Sequence, residues 1–383
     1  MTDSTCIETE FSQATDGNIA VINLESATQR SWSRFWHDPH RPGIAELIVE
    51  QEQLAAQFLG DLGALERLEV LTKHLWRVDA ESMRSALIGA QVASMAHRFS
   101  EARDHLELAT LRGATREETC RLSLSIDQAC GTELDAVLEA RRRMAAASGR
   151  LEDQVPLGAV LADRGEFDEA DRIYRQALRE YQDVSPFAIA LVCFQLGVLW
   201  GELATEIQPS RATQWYRKAI EYLPCYVKAR VHLAEICTSC GRAADAEALL
   251  NPVIASGDPE VHWRLADVMT AMGRPAEAQT QMQAARIGFE ALLGKHLLAF
   301  ADHGAEFYSG SGNDAARSFE LASLNLTNRP TLRAFEQAYA AAVGAGKTEA
   351  AIEMRAAATA RRYGLAIFRR SFPDPRAFVG ART

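Results

Sequence analysis

Residues 157–178 read LGAVLADRGEFDEADRIYRQAL, and this stretch decides the fold. Its apolar residues recur at i, i+3, i+4, i+7 and i+8, the spacing of one helix face, at Ala170, Ile173, Tyr174, Ala177 and Leu178. Gly165 suits the end of a preceding helix because glycine adopts a left-handed backbone conformation without a Cβ clash. The stretch therefore predicts two antiparallel helices joined by a tight turn, with a small residue at position 170 where they approach closely.

The same unit recurs along the chain. A turn residue followed five places later by a small or apolar residue is found at Gly60/Leu65, His97/Ala102, Gly131/Ala136, Gly165/Ala170, Gly241/Ala246, Gly273/Ala278, Gly310/Ala315 and Gly346/Ala351, and Ala212 is a ninth second member. Successive second members are 37, 34, 34, 42, 34, 32, 37 and 36 residues apart. Strand-like alternation is not evident in the array. The sequence therefore predicts an all-α fold of about nine helix-turn-helix units.

These motifs resemble the tetratricopeptide repeat (TPR) family. Leu157-Gly158, Gly165, Ala170, Tyr174 and Ala177 match its pattern position for position. The resemblance covers about four-fifths of the chain and is clearest over residues 151–290. It implies a right-handed α-solenoid whose concave groove is lined by the first helix of each unit. It also implies a protein that binds a protein or peptide partner in that groove.

The repeat array is predicted to occupy residues 44–362, which leaves an extension at each end. Residues 1–43 lack the repeat and are rich in Ser, Thr, Asp and Asn up to about Arg30, so poor order is expected there. Within them, three aromatic residues share one face of a predicted short helix: Trp32, Phe35 and Trp36. This aromatic segment either caps the first repeat or docks on a partner or on the protein's own groove.

The C-terminal extension, residues 363–383, is basic and aromatic. Residues 361–383 hold six arginines against Asp374, a local charge of +5 on an otherwise acidic chain. One interpretation is a cap and tail folded onto the acidic array. The alternative is a segment that contacts phosphates or a membrane surface.

Composition excludes several classes of function. The 383 residues carry a formal net charge of −10, so a broad nucleic-acid-binding face is not expected. The most apolar stretch, 187–201, falls short of the roughly 20 residues needed to cross a bilayer, so no membrane insertion is expected. Seven cysteines behind an acidic, polar start indicate free thiols in a reducing compartment, which predicts a cytoplasmic protein.

No complete set of catalytic or metal-binding residues is evident, so the sequence predicts a protein that is not an enzyme and that needs no cofactor or metal. Cys237 and Cys240 form an isolated C-x-x-C and are interpreted as packed thiols. His37 and His40 have no further ligand nearby. Residues 344–348, GAGKT, lack the first glycine of a phosphate loop and are interpreted as a turn.

The candidate groove residues follow from the family's positions on the first helices. They are Phe194, Gln195, His232, Glu235, Trp263, Arg264, Asp267, Phe300, Phe307 and Tyr308. Trp263 beside Arg264 combines a large apolar contact with a charge that fixes orientation, as a peptide groove requires. The alternative is that Trp263 fills the seam between adjacent units.

A second set of polar residues falls where the repeat normally carries an apolar-small pair. Asp302 and His303 occupy those two positions, and Glu306 follows one turn later. Either the helix is shifted by one register in a degenerate repeat, or these residues form a polar constellation that serves a ligand.

The leading functional hypothesis is an adaptor or scaffold that recruits a protein or peptide through its groove. A second hypothesis is an accessory subunit of a biosynthetic enzyme that binds its substrate or peptide precursor. A third is an enzyme with a groove site around His232, Asp267 and His303.

Overall fold

The structure, a computed structural model, describes residues 14–362. This range contains eighteen α-helices and no β-strand. The first nine are α1 (Gly17–His37), α2 (Ile44–Leu54), α3 (Gly63–Val78), α4 (Met83–Met95), α5 (Phe99–Leu111), α6 (Arg116–Ala129), α7 (Leu134–Ser148), α8 (Leu151–Asp163) and α9 (Phe167–Glu180). The others are α10 (Pro186–Val198), α11 (Pro209–Tyr222), α12 (Val227–Ser239), α13 (Ala243–Leu250), α14 (Pro259–Ala271), α15 (Pro275–Ser309), α16 (Ala315–Asn328), α17 (Leu332–Gly344) and α18 (Thr348–Arg362). The predicted basic tail, 363–383, lies outside the described residues.

The helices form two compact units. Of the described residues, unit 1 comprises 14–23 with Leu138–Pro224, and unit 2 comprises Leu24–Val137 with 225–362. Consecutive helices pair as antiparallel hairpins within each unit. Unit 1 holds α8/α9 and α10/α11, whereas unit 2 holds α2/α3, α4/α5, α12/α13, α14/α15, α15/α16 and α17/α18. The remaining predicted hairpin, α6/α7, has its helices divided between the units. The all-α repeat fold is therefore confirmed.

Close packing inside unit 1 depends on two glycines of the repeat motif. A Cβ added to Gly158 would lie 2.6 Å from Cε1 of Tyr174, and one added to Gly197 would lie 2.4 Å from Cε1 of Tyr216. Both tyrosine rings are buried. The Gly and Tyr positions of the motif are therefore the two sides of one helix contact.

The predicted second members show where the repeat degenerates. Seven of the nine are buried, whereas Ala136 and Ala315 are exposed. Val137, one residue later, and Ser318, three residues later, are buried instead. Gly310 is also not the left-handed turn residue of its unit, because φ is +48° at Asn313 and −98° at Gly310. In both units the turn differs in length from the regular repeat, so the register prediction for these residues is wrong.

Helix α15 serves two hairpins in succession. It runs for 35 residues, and its only non-helical backbone lies at His296, with φ −135° and ψ 56°. Residues 275–295 act as the second helix paired with α14, and residues 297–309 act as the first helix paired with α16. No loop separates the two hairpins.

The expected poor order up to Arg30 is wrong for the described part of the extension. Helix α1 covers Gly17–His37, longer than the short helix predicted around the aromatic segment. It begins where the Asp16 carboxylate accepts hydrogen bonds from the amides of Asn18 and Ile19, at 2.9 and 3.2 Å. This N-terminal cap and the apolar face of the helix explain its order.

Candidate functional site

The candidate groove residues lie on four first helices, and the two units hold them separately. Phe194 and Gln195 are on α10 in unit 1. Phe194 is buried, with its ring centroid 5.7 Å from that of Tyr216, so it contributes to the packing of its own hairpin. All the other candidates are in unit 2, on α12, α14 and residues 297–309 of α15.

Three aromatic candidates in unit 2 are core residues. Trp263, Phe307 and Tyr308 are 3%, 0% and 3% exposed. The Trp263 ring packs edge-on against Phe307 at 5.5 Å and Phe289 at 6.2 Å. Trp263 therefore packs between adjacent repeats, as the alternative interpretation of this residue predicted. The buried rings of Phe307 and Tyr308 are likewise not accessible to a partner in the groove. Phe300, half-buried, packs against the same cluster.

The charged candidates converge on Arg264. Its guanidinium forms an ion pair with Glu235 of α12, lies 3.8 Å from the Asp267 carboxylate one turn on, and lies 3.3 Å from Glu306 of α15. The guanidinium also stacks 3.5 Å from the centroid of the Trp263 ring, a cation–π contact. We call Glu235, Arg264, Asp267 and Glu306 the charged strip. Three neighbouring first helices contribute to it.

The charged strip has an excess of negative charge. Three carboxylates share one guanidinium. The Asp267 carboxylate also accepts a hydrogen bond from the Ser311 hydroxyl at 2.6 Å. Burial raises the pKa of Asp267, although Ser311 and Arg264 oppose this shift. Glu306 is the most accessible member, with 51% of its side chain exposed, against 15% for Arg264. His232 lies beside the strip, 3.6 Å from Glu235.

A second network surrounds His303. Its Nδ1 lies 2.5 Å from Oε1 of Glu260, and its Nε2 lies 3.9 Å from Asp302. Burial alone would lower the pKa of His303, but the Asp302 and Glu260 carboxylates outweigh it and raise the pKa to about 9. His303 is therefore an imidazolium at neutral pH, and its charge holds the pKa of Glu260 well below its usual range against the effect of burial.

The stability of unit 2 is expected to fall between about pH 6.5 and pH 9 as His303 loses its proton. The sign follows from linkage: the folded state, with the higher pKa, binds more protons than the unfolded state in this interval. The loss is measured as a decrease in the urea midpoint from pH 6.5 to pH 9. His303→Gln should flatten that decrease, whereas His40→Gln, at an exposed turn, should leave it unchanged. An equal pH response in His303→Gln would refute the assignment.

The three residues of the enzyme hypothesis occupy different surroundings. His303 is held by Glu260 and Asp302, Asp267 by Arg264 and Ser311, and His232 lies beside Glu235. A protonated His303 has no free lone pair to accept a proton at neutral pH. The buried pair is Gly304 and Ala305, so the helix is shifted in register, by two residues rather than the one expected.

Glu260 is the residue of the His303 network that sequence reasoning missed. It follows Pro259 at the start of α14, and the Asp258 carboxylate caps that helix by accepting from the Glu260 amide at 2.9 Å. Burial and the neighbouring Glu260 charge raise the pKa of Asp258 to about 6. An Asp-Pro-Glu helix start is a common capping signal, so only the three-dimensional contact with His303 distinguishes Glu260.

A small cavity adjoins the charged strip. It has a volume of about 310 Å³ and is lined by Glu306, Ser309, Ala315, Ser318, Gln337, Ala340, Ala341 and Gly344. Most of its wall is made of small residues of α15, α16 and α17. Glu306 therefore faces Arg264 on one side and this cavity on the other.

The aromatic segment packs as a cap on the first hairpin. Phe35 is fully buried with Ile48, Leu68 and Leu71, and the Trp32 indole donates to Glu52 at 2.7 Å. Trp36 alone is exposed, at 51%, and stacks on Trp32 with ring centroids 5.8 Å apart. Docking on a partner or on the protein's own groove stays a prediction, and Trp36 is the exposed aromatic residue that would make this contact.

Two further features bear on the predicted absences. Among residues 14–362, no group of three or more His, Cys, Asp or Glu side chains is arranged to hold a metal ion. The segment Pro186–Leu203 is long and apolar enough to cross a membrane by composition, but 67% of it is buried inside the protein. Such burial is typical of a core helix.

Comparison with known proteins gives structural neighbours only. No family model matches the chain, and no curated protein matches it. The crystal structure of the APC/C hetero-tetramer Cut9-Hcn1 is 13% identical and covers 91% of this chain and 66% of that one, with a TM-score of 0.46. A tetratricopeptide repeat protein from Parabacteroides merdae is 14% identical, covers 77% of this chain and 98% of that one, and has a TM-score of 0.37.

A third similar structure is a monomeric mutant of IFIT1 with Gppp-AAAA, which is 14% identical, covers 91% of this chain and 84% of that one, and has a TM-score of 0.43. At these identities the comparisons concern the fold alone. The hairpins themselves carry the conclusion, because Gly158 packs on Tyr174 and Gly197 on Tyr216 at the positions of the repeat motif. The chain therefore has an all-α, TPR-like repeat fold.

Proposed function

We propose that this protein is a non-catalytic, cytoplasmic scaffold that binds a protein or peptide partner through the charged strip of unit 2. The observation that carries the proposal is the convergence of Glu235, Arg264, Asp267 and Glu306 from three first helices. A surface built from successive units can follow an extended segment of a partner, and its charges fix the orientation of that segment.

The charge of the strip favours a basic partner segment. One guanidinium serves three carboxylates, and Glu306 is exposed beside the small-residue cavity. A lysine or arginine side chain entering there would reduce the excess negative charge. Charge-assisted hydrogen bonds to a carboxylate are stronger than neutral ones, so such a contact would contribute to both affinity and register.

The enzyme hypothesis is not favoured. His303 carries a proton held by two carboxylates, and the nearest groups to Asp267 are Arg264 and Ser311. His303 and Asp267, two of the three residues of the hypothesis, are therefore held in separate networks and do not form one catalytic set.

Glu306→Lys is expected to reduce recovery of the partner at least about tenfold, because it reverses the most accessible charge of the strip. The measurement is quantitative affinity capture from native extract, with cross-linking to map the contact. Glu306 is half exposed, so the substitution should leave the free energy of unfolding within about 1 kcal/mol of wild type.

Glu320→Lys is the matched control, because Glu320 is an exposed carboxylate on α16, a second helix. It should keep recovery within about twofold of wild type. Equal recovery by wild type and Glu306→Lys, or cross-links confined to second helices, would contradict the proposal.

A further inference from the structure

Helices from the N-terminal and C-terminal parts of unit 2 meet along a polar seam. Lys295 donates to Glu66 at 2.5 Å, and His296 lies 3.7 Å from Glu69. The amide nitrogen of the Asn328 side chain donates to the His97 carbonyl at 2.9 Å. In a helical repeat protein each repeat contacts mainly the neighbouring repeats. These partners are instead separated by about 230 residues in sequence, so the seam is a contact between distant repeats of unit 2.

An apolar contact also joins the N-terminal part of unit 2 to helix α12. Phe58, in the π-helical turn Ala55–Leu59, packs on Tyr226 at the start of α12 with ring centroids 4.7 Å apart. Both side chains are almost completely buried. Apolar burial of two aromatic rings is stronger and less sensitive to pH than partly exposed ion pairs. The polar seam is therefore the weaker of the two attachments.

Arg329 is central to the polar seam. Its guanidinium lies 3.3 Å from the Asp302 carboxylate, 3.4 Å from Nδ1 of His97 and 3.5 Å from the Ala129 carbonyl. His97 also lies 3.3 Å from the Leu298 carbonyl through the same nitrogen. A proton added to His97 would face this guanidinium directly, with Asp302 as its nearest carboxylate and His303 as a further positive charge.

His296 is buried without a hydrogen bond. Its side chain is 2% exposed, neither ring nitrogen has a hydrogen-bond partner, and its backbone breaks helix α15. The charged groups around it are Glu66 and Glu69 of α3, Arg98 before α5, and Lys295 of its own helix. Arg98 already pairs with Glu69 at 3.0 Å. A charged imidazolium at this position would be costly to desolvate.

We propose that the polar seam is an acid-sensitive latch, in which protonation of His97 and His296 releases α3–α6 from α15–α17 while the Phe58–Tyr226 contact remains. Proton uptake by the released histidines drives the opening, and the uptake requires water to enter the seam. The closed form prevails at neutral pH, when both rings are neutral.

The direction of the pH effect follows from linkage. Burial, followed by the Arg329 charge, lowers the pKa of His97 from 6.5 to about 4, and burial also lowers the pKa of His296. The closed form therefore binds fewer protons than the open form between about pH 6.5 and pH 4 and loses stability as the pH falls through this interval. His97 alone should shift the ratio of open to closed forms about 30-fold by pH 5.

Hydrogen exchange of the full chain, measured by mass spectrometry at pH 7.5 and pH 5.0 and corrected for the intrinsic rates, tests the latch. Peptides from α3 and from residues 297–309 should lose protection at pH 5.0 by up to about 30-fold. Peptides around Phe58 and Tyr226 should keep theirs. Unchanged protection of α3 and residues 297–309 at pH 5.0 would overturn the proposal.

Variants separate the latch from general acid sensitivity. His97→Asn with His296→Leu should abolish the response, because asparagine tolerates the left-handed backbone at position 97, with φ 55°, and leucine suits a buried position. His40→Asn, an exposed histidine outside the seam, should retain it. The double variant still contains Asp258, which titrates near the same range. A full response in the double variant would overturn the proposal.

A charge exchange tests the seam at neutral pH without altering the histidines. Lys295→Glu should increase exchange in α3 by about two- to fivefold, because it places a carboxylate against Glu66. Combining it with Glu66→Lys should restore wild-type protection. Failure of the exchanged pair to restore protection would show that this contact does not hold the hairpins together.

Discussion

Trp263→Ala is expected to lower the free energy of unfolding by about 3–5 kcal/mol. The indole is 3% exposed and packs between Phe289 and Phe307, so its removal leaves a cavity in the core shared by α14, α15 and α16. The substitution also removes the ring on which Arg264 stacks. The measurement is urea denaturation of wild type and variant followed by far-ultraviolet circular dichroism.

The matched control for this prediction is Trp36→Ala. Trp36 belongs to the same unit but is 51% exposed, so its loss should cost less than about 1 kcal/mol. The two roles considered for Trp263, a buried core residue and an accessible anchor for a partner, predict different results in this experiment. A Trp263→Ala protein with wild-type stability and lost partner binding would restore the role of accessible anchor.

Gly197→Ala is expected to destabilise unit 1 by about 2–3 kcal/mol, although alanine is the better helix former. The new Cβ would lie 2.4, 2.5 and 2.8 Å from three carbons of the Tyr216 ring. That ring is 1% exposed and cannot move aside without separating α10 from α11. Urea denaturation measures the loss in free energy of unfolding, and thermal unfolding should show a lower midpoint temperature.

Gly344→Ala is the control for the same substitution in an open position. Gly344 lies at the exposed end of α17, and apart from its own helix backbone no atom lies within 4 Å of an added Cβ. The gain in helix propensity should therefore stabilise the protein by about 0.5–1 kcal/mol. If Gly197→Ala were as stable as wild type, the close approach of Gly197 and Tyr216 would be refuted.

The sequence predicts the repeat because its signals are local. Gly165 and Ala170 are only five residues apart, across the turn of one hairpin. The apolar face of α9 is visible in fourteen consecutive residues. The prediction fails where turn length changes. At Asn313 the left-handed residue comes three places after Gly310, which moves the buried position from Ala315 to Ser318. A pattern of fixed spacing has no means to register such an insertion.

The site was predictable in residue type but not in exposure. A stripe of aromatic residues on a first helix fits both a groove and a core, and Trp263 and Phe307 belong to the core because α15 and α16 cover them. The contacts of Arg264 with Glu235 and Glu306 depend on how α12, α14 and α15 lie side by side. Residues far apart in sequence, such as Glu260 and His303, meet for the same reason.

The continuity of α15 limits how this chain can be altered. Most hairpins here end in a short turn, and whole repeats can in principle be duplicated or removed at such joints. Within residues 259–328 no such joint lies between the two hairpins, because one helix belongs to both of them. We infer that these two repeats must be inherited, excised or transplanted as a single block.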